Sequence, residues 1–199
     1  MNKNYLKKIY PYDEANQCFI VEIALEYYLE LFNPWDAASI KKKDLDPELV
    51  SYLEDVSDDI PLKDNISIVL VMPKNVQNPE MEAISRGVFV NYFNFLMHYN
   101  KRTQRKSFKQ AIYYIITSFT FLVLAYFLRL NDAVFIEILS EGFFIGGWVF
   151  MWETISIIFF KSAFIRRQSK RYLRLSESSI TYDYRKKNKR LFALRKQPF

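Results

Sequence analysis

The side chains whose type and grouping could support chemistry are carboxylates near the front of the chain: Asp36, Asp44, Asp46, Glu54, Asp55, Asp58 and Asp59. Carboxylates hold Mg²⁺ or act as acid and base only when the fold brings several of them to one point. Spacing does not demand that here. Asp46 stands before Pro47 and Glu48, the order of a helix cap, a first-turn proline and an early acid. The others fit a solvated face. The remaining ingredients of catalysis are scarce. His98 is the only histidine and Cys18 the only cysteine, so no histidine metal cluster, thiolate cluster or internal disulfide can form. Four glycines, Gly87, Gly142, Gly146 and Gly147, exclude the usual glycine-rich phosphate loops and dinucleotide fingerprints. No catalytic residue, metal or cofactor is predicted. Cys18 opens the apolar run Cys18 to Ile23, where a lone thiol behaves as a small buried hydrophobe.

A second group sits in an apolar setting. Gly142, Gly146, Val149, Glu153 and Ser156 recur at intervals of four, three, four and three, so a helix would carry them on one stripe. Gly142 and Gly146 form a small-xxx-small pair that admits another backbone. Glu153 lies on the same stripe inside a hydrophobic run, where an ionised carboxylate costs several kcal/mol unless it is paired, protonated or hydrated. The stripe predicts a helix contact with protein, with an ion or proton site as the alternative role of Glu153.

The elements that position these residues follow from periodicity. Phe19 to Leu25 and Ile66 to Met72 read as strands, the second nearly all apolar and closed by Pro73. Between them a short helix is expected at 26–32, and a longer one starts at Asp46, carrying Leu49, Tyr52, Leu53 and Val56. Asn78-Pro79-Glu80 repeats the start signal ahead of the stripe Ile84, Val88, Tyr92, Phe95 and Tyr99. Neither glycine nor proline occurs from Val88 to Gln110, nor from there until Gly142, so nothing local stops this helix before the next apolar run.

Residues 111–128 hold no charge over 18 positions, close to the roughly 20 apolar residues that cross about 30 Å of hydrocarbon. A second span is predicted over 138–160, and the short connection forces an antiparallel hairpin. Charge supports the same reading. Residues 1–98 carry 9 Lys and Arg against 16 Asp and Glu, net −7; residues 99–199 carry 19 against 6, net +13, giving the chain's +6. Lys101, Arg102, Arg105, Lys106 and Lys109 precede the first span, and Lys161, Arg166, Arg167, Lys170, Arg171 and Arg174 follow the second. The connection has only Arg129, balanced by Asp132. By the positive-inside rule both flanks, and with them both termini, are cytoplasmic. Lys101, Arg102, Arg105, Lys106, Lys109, Arg166, Arg167, Lys170 and Arg171 are expected to face anionic lipid. Nucleic acid is not expected, since no binding motif accompanies the charge. Tyr10 to Glu14 stands where a secretory signal needs its apolar core, so no export of the front domain is predicted. After the second span Tyr172 to Leu175 and Ile180 to Tyr184 suggest a β-hairpin over 172–184 that could extend the front sheet, and residues 185–190 a flexible basic run.

Trp35-Asp36, Asp44 to Leu49, Tyr52 to Glu54 and Asp59 to Pro61, followed by Gly147 to Val149 and Met151 to Glu153, resemble a family of uncharacterised bacterial membrane proteins with a soluble front and two spans. The resemblance covers about residues 19–165 and implies no activity for any residue. The expected fold is an α/β cytoplasmic domain over 1–100, a small sheet with packed helices. A two-helix transmembrane hairpin over 101–165 and a basic tail over 166–199 complete it. The expected function is a non-enzymatic, membrane-anchored interaction or signalling domain in the inner (plasma) membrane, oligomeric and bound to a further protein partner. A small channel or transporter-like assembly using Glu153 is the alternative, and a membrane-bound enzyme with an acidic site the third.

Overall fold

The computed structural model describes residues 3–130 and 133–185. In chain order its elements are helix α1 (Lys3–Ile9), strands β1 (Tyr12–Asp13) and β2 (Cys18–Ala24), helix α2 (Pro47–Asp59), strand β3 (Asn65–Pro73), helices α3 (Pro79–Leu128), α4 (Val134–Ser156) and α5 (Ser162–Ser176), and strand β4 (Ser179–Arg185). The chain divides into two compact units. One combines Met1–Met97 with Lys170–Phe199, and the other is His98–Ser169.

The first unit is built on a sheet of order β1-β2-β3-β4. β1 pairs antiparallel with β2, whereas β2–β3 and β3–β4 are parallel, with Val21 opposite Ile68 and Ile68 opposite Ile180. Alternation then sends Phe19, Val21, Ile23, Ile66, Ile68, Leu70, Met72 and Ile180 into one core with Leu49, Leu53 and Val56 of α2, Phe89 and Phe93 of α3, and Tyr172 and Leu175 of α5. The opposite side of the strands carries Glu22, Thr181 and Ser179, all exposed.

Two capping signals act as their chemistry requires. The Asp46 carboxylate accepts from the amides of Glu48 and Leu49 at 2.9 and 3.1 Å, opening α2. Asn78 accepts from Glu80 and Met81 at 3.0 and 3.3 Å, opening α3. With no breaker after Gly87, α3 runs unbroken for 50 residues, about 75 Å at 1.5 Å per residue. The short helix expected at 26–32 is a 3₁₀ turn, Tyr28–Leu31.

Two expectations about the tail need correction. Tyr172 to Leu175 are the last turns of α5, and β4 alone follows them, so there is no hairpin over 172–184. The alternation of apolar residues at Tyr172, Leu173 and Leu175 imitates a strand, but burial falls on Ile165, Tyr172 and Leu175, a helical face. β4 gains seven backbone partners in β3, far more than a four-residue hairpin arm could supply. Residues 170–185 are thus no separate tail: the end of α5 and β4 complete the first unit. The basic run over 185–190 lies, apart from Arg185, outside the described residues. Parallel strands need a crossover between them, and the crossover from β3 to β4 contains the entire second unit.

Candidate functional site

Of the carboxylates singled out in the sequence, Asp36, Asp46, Glu54, Asp58 and Asp59 hold helices and loops together. The Tyr172 hydroxyl donates to Glu54 at 2.5 Å, Arg171 forms an ion pair with Asp58, and the Tyr10 hydroxyl donates to Asp59 at 2.9 Å. Asp36 accepts from the amides of Ala38 and Asp44 at 2.8 Å each, which hold its carboxyl below the usual range. Burial and the facing carboxylates push the Tyr172 phenol well up and that of Tyr10 to about 12. No three of His, Cys, Asp and Glu among the described residues are grouped as a metal site. Cys18 is buried in β2, which raises its thiol, and His98 is exposed on α3.

Arg174 binds α5 to the end of α2. Its guanidinium donates to the carbonyls of Ile60, Pro61 and Asp64 at 3.1, 2.8 and 3.2 Å, and to the carbonyl and hydroxyl of Ser57 at 2.5 and 2.7 Å. These include groups that a helix C-terminus leaves unsatisfied, and a cation there also complements the helix dipole. Burial lowers the Arg174 pKa. Arg171, expected at the lipid surface, is instead 8% exposed and paired inside this unit. Lys101, Arg102, Arg105, Lys106, Lys109, Arg166, Arg167 and Lys170 are all exposed.

In the second unit, α3 and α4 meet through small residues that sequence reasoning missed. Ala111, Ser118 and Ala125 are buried at intervals of seven, and so are Ser140, Gly147 and Thr154. The Ser118 hydroxyl donates to the Gly147 carbonyl at 2.7 Å, and the Ser140 hydroxyl to the Ala125 carbonyl at 2.9 Å. A Cβ on Gly147 would stand 2.8 Å from Leu122 and 3.2 Å from the Ser118 carbonyl. Seven-residue spacing of small residues was the available signal.

The anticipated stripe falls beside this seam. Gly142, Val149, Glu153 and Ser156 are exposed; Gly146 is half-buried, its position for a Cβ 2.9 Å from the Phe121 ring. Around both helices the apolar surface is bare. Phe119, Tyr126 and Phe127 of α3 and Ile145, Trp152 and Phe159 of the following helix are each about 60% exposed. A five-residue π turn, Ile157–Lys161, joins α4 to α5 where the apolar run gives way to basic residues. Both helices, Pro79–Leu128 and Val134–Ser176, are long and apolar enough to cross a membrane. No family model matches this chain, and no curated protein and no solved structure does either.

Proposed function

We propose that the protein is a membrane-anchored interaction or signalling module without catalytic activity, whose second unit is an antiparallel transmembrane hairpin. The observation that carries the anchoring is the exposure of the apolar segments: only 17% of each apolar window is buried. A core helix of a soluble protein would be mostly covered, and a soluble monomer rarely leaves so large an apolar surface bare. The two seam contacts, Ser118 with Gly147 and Ala125 with Ser140, run in opposite order along the chain, which supports an antiparallel pair. Basic residues at both connections to the first unit support a cytoplasmic position for that unit and for both termini.

The signalling part of the reading rests on continuity. α3 begins on the sheet of the first unit and α5 ends on it, and neither apolar helix is interrupted by a loop before joining it. In this reading a displacement at either helix reaches the core through Phe93 and Tyr172 and the end of α2 through Arg174. The exposed stripe of Gly142, Val149, Glu153 and Ser156 offers a surface for a second copy, which would shield Glu153 from lipid.

Cross-linking in native membranes followed by mass spectrometry tests this function. Links from the first unit to another protein, and from stripe to stripe between copies, are expected. Exclusively intrachain links at near-native abundance would contradict both parts.

A further inference from the structure

Arg129, Glu137 and Glu141 line one cavity of about 610 Å³ together with Tyr126, Leu122 and Phe144. Charges of both signs stand toward the α3–α4 connection. Leu122 precedes Arg129 by two helical turns, about 10 Å, so the lining changes from charged to apolar along the helices. Two of the charges have an ordinary explanation. Arg129 follows the last turn of α3, and Glu137 lies in the first turn of α4, where a cation and an anion respectively complement the helix dipoles. Glu141, exposed like Arg129 and Glu137, lies eight residues into α4, past the first turn where the helix dipole acts.

We propose that this cavity binds the headgroup of an ethanolamine phospholipid, an inference that rests on the membrane reading above. The phosphate meets the Arg129 guanidinium, the primary ammonium donates to the carboxylates of Glu137 and Glu141, and an acyl chain lies along Leu122 and Phe144. Charge complementarity selects this occupant. A choline headgroup has the same charges but no N–H to donate, and a glycerol headgroup has the phosphate without the ammonium. An aromatic ring at Tyr126 adds a face for the ammonium.

The test uses the full chain purified in detergent and exposed to phosphatidylethanolamine, phosphatidylcholine or phosphatidylglycerol of identical acyl chains, with bound lipid read by native mass spectrometry. Phosphatidylethanolamine should be retained about tenfold more strongly than phosphatidylcholine, as charge-assisted hydrogen bonds imply. Glu141→Gln should bring the two to the same level, and Arg129→Gln should weaken both. Both changes preserve side-chain size or polarity, and a thermal melt checks that each variant folds. Equal retention of the two lipids by the native protein, or a preference that survives combined Glu137→Gln and Glu141→Gln, would overturn the site. Release of the protein from membranes by alkaline carbonate would overturn the membrane reading instead, so the two failures are distinguishable.

Discussion

At the scale of single residues, most of the acidic cluster pairs with Tyr172, Arg171, Tyr10 and backbone amides, while Arg174 ties the carbonyls at the end of α2 to α5. Arg174→Met should cost about 3 kcal/mol of unfolding free energy, since it strands several carbonyls at the end of α2. Arg174→Lys should recover only part, because one ammonium cannot span acceptors fanned over four residues. Urea denaturation of the detergent-solubilised chain, followed by near-ultraviolet circular dichroism, measures both. Four fully or partly buried tyrosines set a second expectation. Burial raises Tyr182 to about 12 and Tyr10 to about 12 from an ordinary 10.0, and it raises Tyr172 and Tyr184 further, helped by Glu54 and Glu82. A folded-state pKa above the unfolded value means that the contribution is complete below pH 10 and is lost as pH climbs through 12. Stability should therefore hold to about pH 10 and decline above it. Tyr172→Phe should make that decline shallower, and an unchanged alkaline profile in the variant would remove Tyr172 from the explanation.

At the scale of elements, the seam between α3 and α4 separates packing within the chain from packing between chains. Gly147→Leu should lower the melting temperature in detergent by several degrees, because the new side chain meets Leu122 and the Ser118 backbone. Gly142 has nothing within 4 Å of its Cβ position, so Gly142→Leu should leave that temperature alone and reduce only cross-linked oligomers. Glu153→Gln should leave liposome ion flux at background, as in the native chain; a robust flux that the variant abolishes would favour the conducting assembly. Much of this level was legible in the sequence. Asp46 and Asn78 announced their helices because caps act over three residues, and the absence of glycine and proline predicted an unbroken α3. What escaped was set by distant partners. Tyr172 and Arg174 look like a strand until the end of α2 is beside them, whereas Ile180 to Tyr184 was legible as a strand able to extend the front sheet, as its pairing with β3 bears out. The glycine stripe drew attention through its local motif, whereas the seam's only local signal was the seven-residue spacing of small residues along each helix, and its pairing of Ser118 with Gly147 and Ser140 with Ala125 needs both helices together.

At the scale of the molecule, the first unit is a parallel α/β crossover whose connecting segment has been extended into two apolar helices. β3 leads through α3 away from the sheet, and α5 leads back to β4, so removal of 98–169 would leave the crossover to be closed by other means. Under the proposed membrane reading, both ends of the second unit lie on the same side of the membrane, since β3 and β4 are hydrogen-bonded neighbours in one sheet. Cysteine accessibility tests that requirement at its centre. In a Cys18→Ser background, Asn131→Cys should react with an impermeant thiol reagent on intact cells, while Ser178→Cys should react only after lysis. Both variants should stay in the membrane pellet after alkaline carbonate. Labelling of Ser178→Cys and not Asn131→Cys on intact cells would reverse the orientation, and a protein that carbonate releases from the pellet would contradict the transmembrane hairpin itself.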